Sequence, residues 1–139
     1  LLIDARLPTV SDKNYILDAS ALLAVMLGES GADAVHAVLD RAKIGAVNLS
    51  EVVAKLQERG VPDDAIDQSL ADLDLTIVPF DQDQAMRAGK LRLATRHAGL
   101  SLGDRACLAV ASSLGAVSVT TDHAWTKLRL NVEIEFARI

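Results

Sequence analysis

The chain alternates short apolar runs with longer stretches of helical periodicity, and few folds accept that order. The runs are Tyr15–Leu17, Ile44–Val47, Leu75–Phe80, Ala116–Thr120 and Val132–Phe136. Each is short and mostly apolar, which suits strands buried on both faces. Between them the spacing predicts helices. One runs from Ser20, read as its cap, to Leu27, with Gly28 ending it. A second starts near Gly31 and places Ala32, Val35, Val38, Leu39 and Ala42 at helical intervals. A third starts at Asn48, carries Leu49, Val52, Val53 and Leu56 on one face, and stops at Gly60. Pro62 suits the first turn of a fourth, with Ile66, Leu70 and Leu73 inward. A long helix is expected from Gln82 to Ala98, another from Ser101 to Leu114, and a short one over Asp122–Leu128. Strand–helix alternation of this kind predicts an α/β fold: a mainly parallel sheet of about five strands, flanked by helices on both faces. Residues 1–14 show no period and read as a lead-in segment, with one domain over 15–139.

A chain of 139 residues is long enough to bury a core without staples. Half of its residues are hydrophobic and 24% are charged, the balance of a globular protein. Aromatics make up only 3%, so a platform of rings for stacking bases is not expected. Cys107 is the single cysteine and has no partner for an internal disulfide, which fits a reducing cytoplasm. No apolar run approaches the ~18 residues of a membrane span, and LLIDARLPTV turns charged too soon for a signal peptide. The net charge of −5 opposes broad electrostatic binding of nucleic acid. The basic residues are uneven, however. Arg87, Lys90, Arg92, Arg96 and Arg105 crowd into one stretch with His97, either a solvated face or a track for a phosphate backbone.

Four carboxylates stand out by position: Asp18 in YILDASALL, Glu51 in AVNLSEVVAKL, Asp104 in LSLGDRACLAVA and Asp122 in VSVTTDHAW. Each lies at or near an expected helix start, three of them just after an expected strand. Each also has an ordinary explanation. Asn48-Leu49-Ser50-Glu51 and Ser101-Leu102-Gly103-Asp104 have capping-box spacing, Asp122 can cap its own helix, and helix dipoles favour acids at N-termini. Asp18 is the hardest to dismiss, because ligands of open α/β sheets bind where strands end. Four acids gathered on one sheet edge form a hard oxygen donor set suited to Mg²⁺ or Mn²⁺. Paired ions of that kind can drive in-line displacement at a phosphodiester.

The segments LDASALL, AVNLSEVVAKL, LSLGDRACLAVA and VTTDHAWTKL resemble those of PIN domains, and most closely the VapC-like toxins of bacterial toxin–antitoxin pairs. The resemblance runs from Tyr15 to the C-terminus. It implies a three-layer PIN-like fold and a Mg²⁺- or Mn²⁺-dependent ribonuclease leaving 5′-phosphate and 3′-hydroxyl ends. Carried over by position, the metal ligands and catalytic acids are Asp18, Glu51, Asp104 and Asp122. Ser20 and Thr121 are then candidate donors orienting carboxylates, with helix capping the alternative for each. Arg96, Arg105 and His123 are candidate RNA contacts. The resemblance also implies a homodimer and a cognate antitoxin lying along the first helix, where Leu22, Leu23, Val25, Met26 and Leu27 exceed what one core-facing stripe needs; the alternative is that they simply fill the core.

Rival functions lack their signatures. A receiver domain wants an acidic pair after the first strand and a late lysine, whereas Asp18 is followed by Ala19 and Val119-Thr120-Thr121 has no lysine. A dehalogenase-like phosphatase wants Asp-x-Asp, and here the triplet is Asp18-Ala19-Ser20. No phosphate-binding loop with Lys-Ser or Lys-Thr is present. A non-catalytic binding module whose acids only cap helices, and a PIN-like DNA nuclease, are the alternatives kept. Trp125 is read as packing the last short helix, and Cys107 as a small core residue.

Overall fold

The structure, a computed structural model, describes residues 13–137. The expected lead-in over 1–14 therefore lies almost wholly outside the described residues. Five strands form one sheet: β1 (Tyr15–Leu17), β2 (Ala42–Gly45), β3 (Thr76–Val78), β4 (Val117–Thr120) and β5 (Ile134–Phe136), in the order β3-β2-β1-β4-β5. All four pairings are parallel. Seven α-helices accompany them among the described residues: α1 (Ala19–Leu27), α2 (Ala32–His36), α3 (Ala46–Glu58), α4 (Asp63–Leu73), α5 (Gln82–Lys90), α6 (Arg92–Thr95) and α7 (Leu102–Leu114).

The alternation of β1 divides the core between the two faces of the sheet. Tyr15 and Leu17 pack with Leu22, Val35, Ile44, Val52 and Ile66, beneath α1, α3 and α4. Ile16 points the other way, against Cys107, Leu108, Val110 and Trp125. Small residues in α7 let it lie close on that second face, where Ala106 to Ala111 are all buried. The expected α/β architecture, with helices on both faces, is the one observed.

Several boundaries differ from expectation. The second strand is Ala42–Gly45, not Ile44–Val47, because Ala46 already opens α3 with extended Gly45 as its cap. Asn48 consequently sits in the first turn of α3, and no capping box joins it to Glu51. The helix expected from Gly31 is only α2, followed by a 3₁₀ turn at Leu39–Arg41, since Ala42 is drawn into the sheet. The long helix expected over 82–98 breaks into α5, α6 and a 3₁₀ turn, Arg96–Ala98. Gly89 and Thr95 are weak helix formers, and the Thr95 hydroxyl is drawn back to the Leu91 carbonyl at 2.8 Å. The last short helix is a 3₁₀ turn, His123–Lys127, capped by Asp122.

Leu17 is fully buried at the centre of this arrangement. Leu17→Ala is expected to destabilise the protein by about 3 kcal/mol through lost burial and a residual cavity. Urea unfolding measures this; a loss under about 1 kcal/mol would mean that β1 is not central to the core.

Candidate active site

The strand order reverses between β1 and β4: β2 and β3 follow on one side of β1, β4 and β5 on the other. Crevices of open α/β sheets form where strands end beside such a reversal. Asp18 directly follows β1, and its backbone N–H donates to the Val119 carbonyl of β4 at 3.0 Å. Asp122 is the second residue after β4. The other two acids come from α3 and α7, which pack on each other.

Asp18 is 3% exposed. It is the cap of α1: its Oδ1 accepts from Ala21 N at 2.8 Å and from Ser20 Oγ at 2.6 Å. Ser20 is therefore not the cap of α1 but a donor to the carboxylate that is. The Thr120 hydroxyl donates to Asp18 Oδ2 at 2.5 Å and accepts the Asp122 N–H at 3.0 Å, joining the ends of β1 and β4. Thr120, fully buried, takes the role expected of Thr121; the latter supplies only its backbone N–H, to Ser20 Oγ at 3.0 Å. Burial pushes the Asp18 carboxyl up to about 6, against the hydrogen bonds from Ser20, Thr120 and Ala21 that favour its charged form, and the Asp104 charge pushes it further the same way.

Glu51 lies in the second turn of α3 and is half-buried. Its carboxyl is raised by burial and by the Asp104 charge, while the Asn48 hydrogen bond and Lys55 act in the opposite sense. Asn48 Nδ2 donates to Glu51 Oε1 at 2.9 Å and to the Gly103 carbonyl of α7 at 3.0 Å. Asp104 completes a capping box with Ser101: its Oδ2 accepts from Ser101 N at 2.9 Å, and Ser101 Oγ accepts from Asp104 N at 3.2 Å. Asp122 is exposed, and its Oδ1 accepts from Ala124 N at 2.9 Å.

Asp18, Glu51 and Asp104 thus share one negative field, while Asp122 is tied to it only through its backbone N–H on the Thr120 hydroxyl. Among the described residues, no three His, Cys, Asp or Glu side chains already converge at ligating distance. Each carboxylate instead leans on a nearby donor. In Glu51, Asp104 and Asp122 that support occupies one oxygen, and the other takes no hydrogen bond among the described residues. Open carboxylate oxygens with like charges pressing on one another are a donor set that fits a hard divalent cation.

The remaining candidates divide. Arg105 Nη1 donates to the Ala88 carbonyl of α5 at 2.9 Å, so part of its guanidinium ties α7 to α5. Arg96 and His123 are exposed. Trp125 is buried, as expected of a packing residue, and so is Cys107, whose thiol burial raises well above its ordinary value. Sequence reasoning missed Thr120 and Asn48. A polar residue closing an apolar strand, and another three positions before the acid in α3, were the available signals.

The PIN domain profile matches residues 15–130, and the chain belongs to the PIN domain family. Within it, the chain is 33% identical over 110 residues to Ribonuclease VapC42 of Mycobacterium tuberculosis, covering 72% of this chain and 84% of that one. Among solved structures, VapBC from Salmonella typhimurium bound to DNA superposes with a TM-score of 0.69 at 17% identity, covering 90% of this chain and 98% of that one. VapBC-5 from Mycobacterium tuberculosis, a member of the VapBC family of toxin–antitoxin systems, gives 0.60 at 25% identity, covering 91% and 98%.

The raised Asp18 carboxyl sets a pH dependence with an unusual sign for an aspartate. Its ordinary value is 3.8, and in the folded protein it is about 6. Between those values the folded state holds a proton that the unfolded chain has released. Its contribution to stability is therefore present at low pH and lost as pH rises through about 6, a span worth about 3 kcal/mol in the metal-free protein. Asp18→Asn removes this component. Urea unfolding from pH 4 to 7.5 is expected to show wild-type stability declining relative to the variant across that window; parallel curves would contradict it.

Proposed function

We propose that this protein is a divalent-metal-dependent endoribonuclease of toxin type, hydrolysing RNA phosphodiesters to 5′-phosphate and 3′-hydroxyl products and restrained by a cognate antitoxin. The observation that carries the reading is the shared field of Asp18, Glu51 and Asp104 beside the strand reversal, where Asp104 raises both of the other carboxyls. The name of the relative similar over most of the chain supports RNA as substrate, and the toxin–antitoxin assignment of a solved neighbour supports the partner.

Asp18, Glu51, Asp104 and Asp122 would hold the ion or ions, Mg²⁺ or Mn²⁺. When bound, a divalent cation supplies the Lewis acidity that makes water a nucleophile at neutral pH and the positive charge that phosphate needs in its transition state. The protein's own part is to keep the carboxylates oriented and ionised. Ser20 Oγ and Ala21 N occupy Asp18 Oδ1, and Thr120 takes one position on Oδ2, which leaves Oδ2 the oxygen with room for a further partner. Through the same hydroxyl Thr120 fixes the Asp122 backbone, so one side chain holds the Asp18 carboxylate after β1 and the main chain at Asp122 after β4. Arg96, His123 and the part of Arg105 not spent on Ala88 are the groups we assign to RNA phosphates. The nuclease domain spans 15–139, acts in the cytoplasm and forms a homodimer. Among the described residues no helix is long and apolar enough to cross a membrane.

An apolar surface is available to the antitoxin. A groove of about 370 Å³ opens between α1, α3 and α4, lined by Val25, Met26, Leu27, Leu56, Ile66 and Leu73. Leu22 is buried in the core, whereas Val25, Met26 and Leu27 are only partly covered. That division answers the excess of apolar residues on α1, and we assign the uncovered part to an antitoxin segment whose basic side chain would reach the acids.

Asp104→Asn separates the nuclease from a module whose acids only cap helices. The amide oxygen can still accept the Ser101 N–H, so α7 keeps its cap while the site loses a charge. Thermal melting is expected to move by only a few degrees. Discrete, chelator-sensitive products from total cellular RNA are expected to fall by about 100-fold or more. Cleavage at the wild-type rate with Mg²⁺ would remove Asp104 from the site, and a wild-type protein inert toward RNA yet destabilised by this variant would favour the binding module.

A further inference from the structure

We infer that Asn48 and Gly103 form a seat that aims Glu51 into the metal site, which makes Asn48 a positioning residue for the reaction. The inference rests on the reading of Glu51 as a metal ligand. Asn48 is 1% exposed in the first turn of α3, and Val52, one turn further along, is fully buried. Its amide nitrogen meets two acceptors, Glu51 Oε1 at 2.9 Å and the Gly103 carbonyl at 3.0 Å. Because both neighbours accept, the amide cannot be turned round: the nitrogen must face α7 and the oxygen must face away. Asn48 Oδ1 is accordingly buried without a hydrogen-bond partner, beside Gly45. An unpaired buried carbonyl opposes folding, and an apolar residue would avoid it. What the position gains is the work of the nitrogen.

Gly103 supplies the other half. A Cβ there would overlap the Glu51 carboxylate, so the acid occupies the space that the missing side chain leaves on the first turn of α7. The carboxylate therefore rests one residue before Asp104. Glutamate is long and flexible, and an unsupported one would spread over many rotamers. Here Asn48 holds Oε1 and the bare face of Gly103 backs the whole group, while Oε2 takes no hydrogen bond among the described residues. Since the same amide also grips the Gly103 carbonyl, it couples α3 to α7 and so sets Glu51 against Asp104.

Two variants dislodge Glu51 by different means. Asn48→Asp keeps the shape but replaces the donor with an oxygen. Gly103→Ala adds one methyl whose nearest neighbours are the far end of a flexible side chain, so the fold accommodates it by letting Glu51 swing aside. Mn²⁺ is titrated calorimetrically into wild type, both variants and Glu51→Gln, and the metal-free proteins are melted alongside. Gly103→Ala is expected to melt at or above the wild-type temperature and to bind Mn²⁺ about tenfold more weakly or worse, near Glu51→Gln. Asn48→Asp is expected to weaken Mn²⁺ binding likewise. Wild-type affinity in Gly103→Ala overturns the seat, including the case where Asn48→Asp only melts lower, since Asn48 would then serve the core alone. No Mn²⁺ binding by wild type overturns the metal reading itself, and the seat with it.

Discussion

A carboxylate buried beside the strand reversal is the constraint on which the rest of this structure turns. Asp18 stands where β1 ends, almost without exposure, and an ionised group there must be surrounded by donors. The fold supplies them from three directions: the first turn of α1, the Ser20 hydroxyl and the Thr120 hydroxyl of β4. Those bonds do more than solvate a charge. They start α1 at a defined residue, join β1 to β4 beyond the last sheet bond, and through Thr120 place the chain that leads to Asp122. Burial still wins against them, because the Asp18 carboxyl remains raised.

The ordinary and functional readings of the acids are compatible. Asp18 caps α1, Asp104 belongs to a capping box on α7, and Asp122 caps a 3₁₀ turn. A cap uses the lone pairs of a carboxylate only in part. In Asp104 and Asp122 the helix end takes one oxygen and the second is spared. Capping is thus a means of holding an acid in place at no cost to its remaining valence. Glu51 is the exception, since it sits a turn inside α3 where no free N–H remains to hold it. Asn48 provides from a side chain what the helix end provides elsewhere.

How much of this could be read beforehand follows from what each feature depends on. The sheet and its two helical layers were legible because burial on both faces demands short apolar strands, and Tyr15–Leu17 and Val117–Thr120 show it directly. Asp18, Glu51 and Asp104 could be singled out by position and by family resemblance, and the fold brings their charges together. Their supports were not. Choosing Thr120 over Thr121 requires the alternation of β4, whose phase is set by the register of Val117 against Tyr15. The role of Asn48 requires the start of α3, and Gly45 rather than Asn48 proved to be its cap. Local chemistry favoured Asn48 for that position, but tertiary pairing of Gly45 with Val78 in β3 decided the boundary. Gly103 could not be read at all without knowing that Glu51, 52 positions earlier in the numbering, would fill the space beside it.

The same electrostatics connect catalysis to restraint. A site in which two carboxyls are raised by burial and by the charge of a third acid favours any positive charge, whether an ion or a basic side chain. On the proposed reading these are competitors for one field, so an antitoxin needs little contact within the site to silence it. Its binding strength can come from elsewhere, and the apolar groove of α1, α3 and α4 offers that area on the face of the sheet that also carries α1 from Asp18. Helix α1 therefore belongs to both functions: its first residues hold the Asp18 carboxylate, and its last, Val25 to Leu27, line the groove. A partner bound along the groove would lie within one short helix of Asp18, which lets an apolar interface and a single charge act together without any change in the fold.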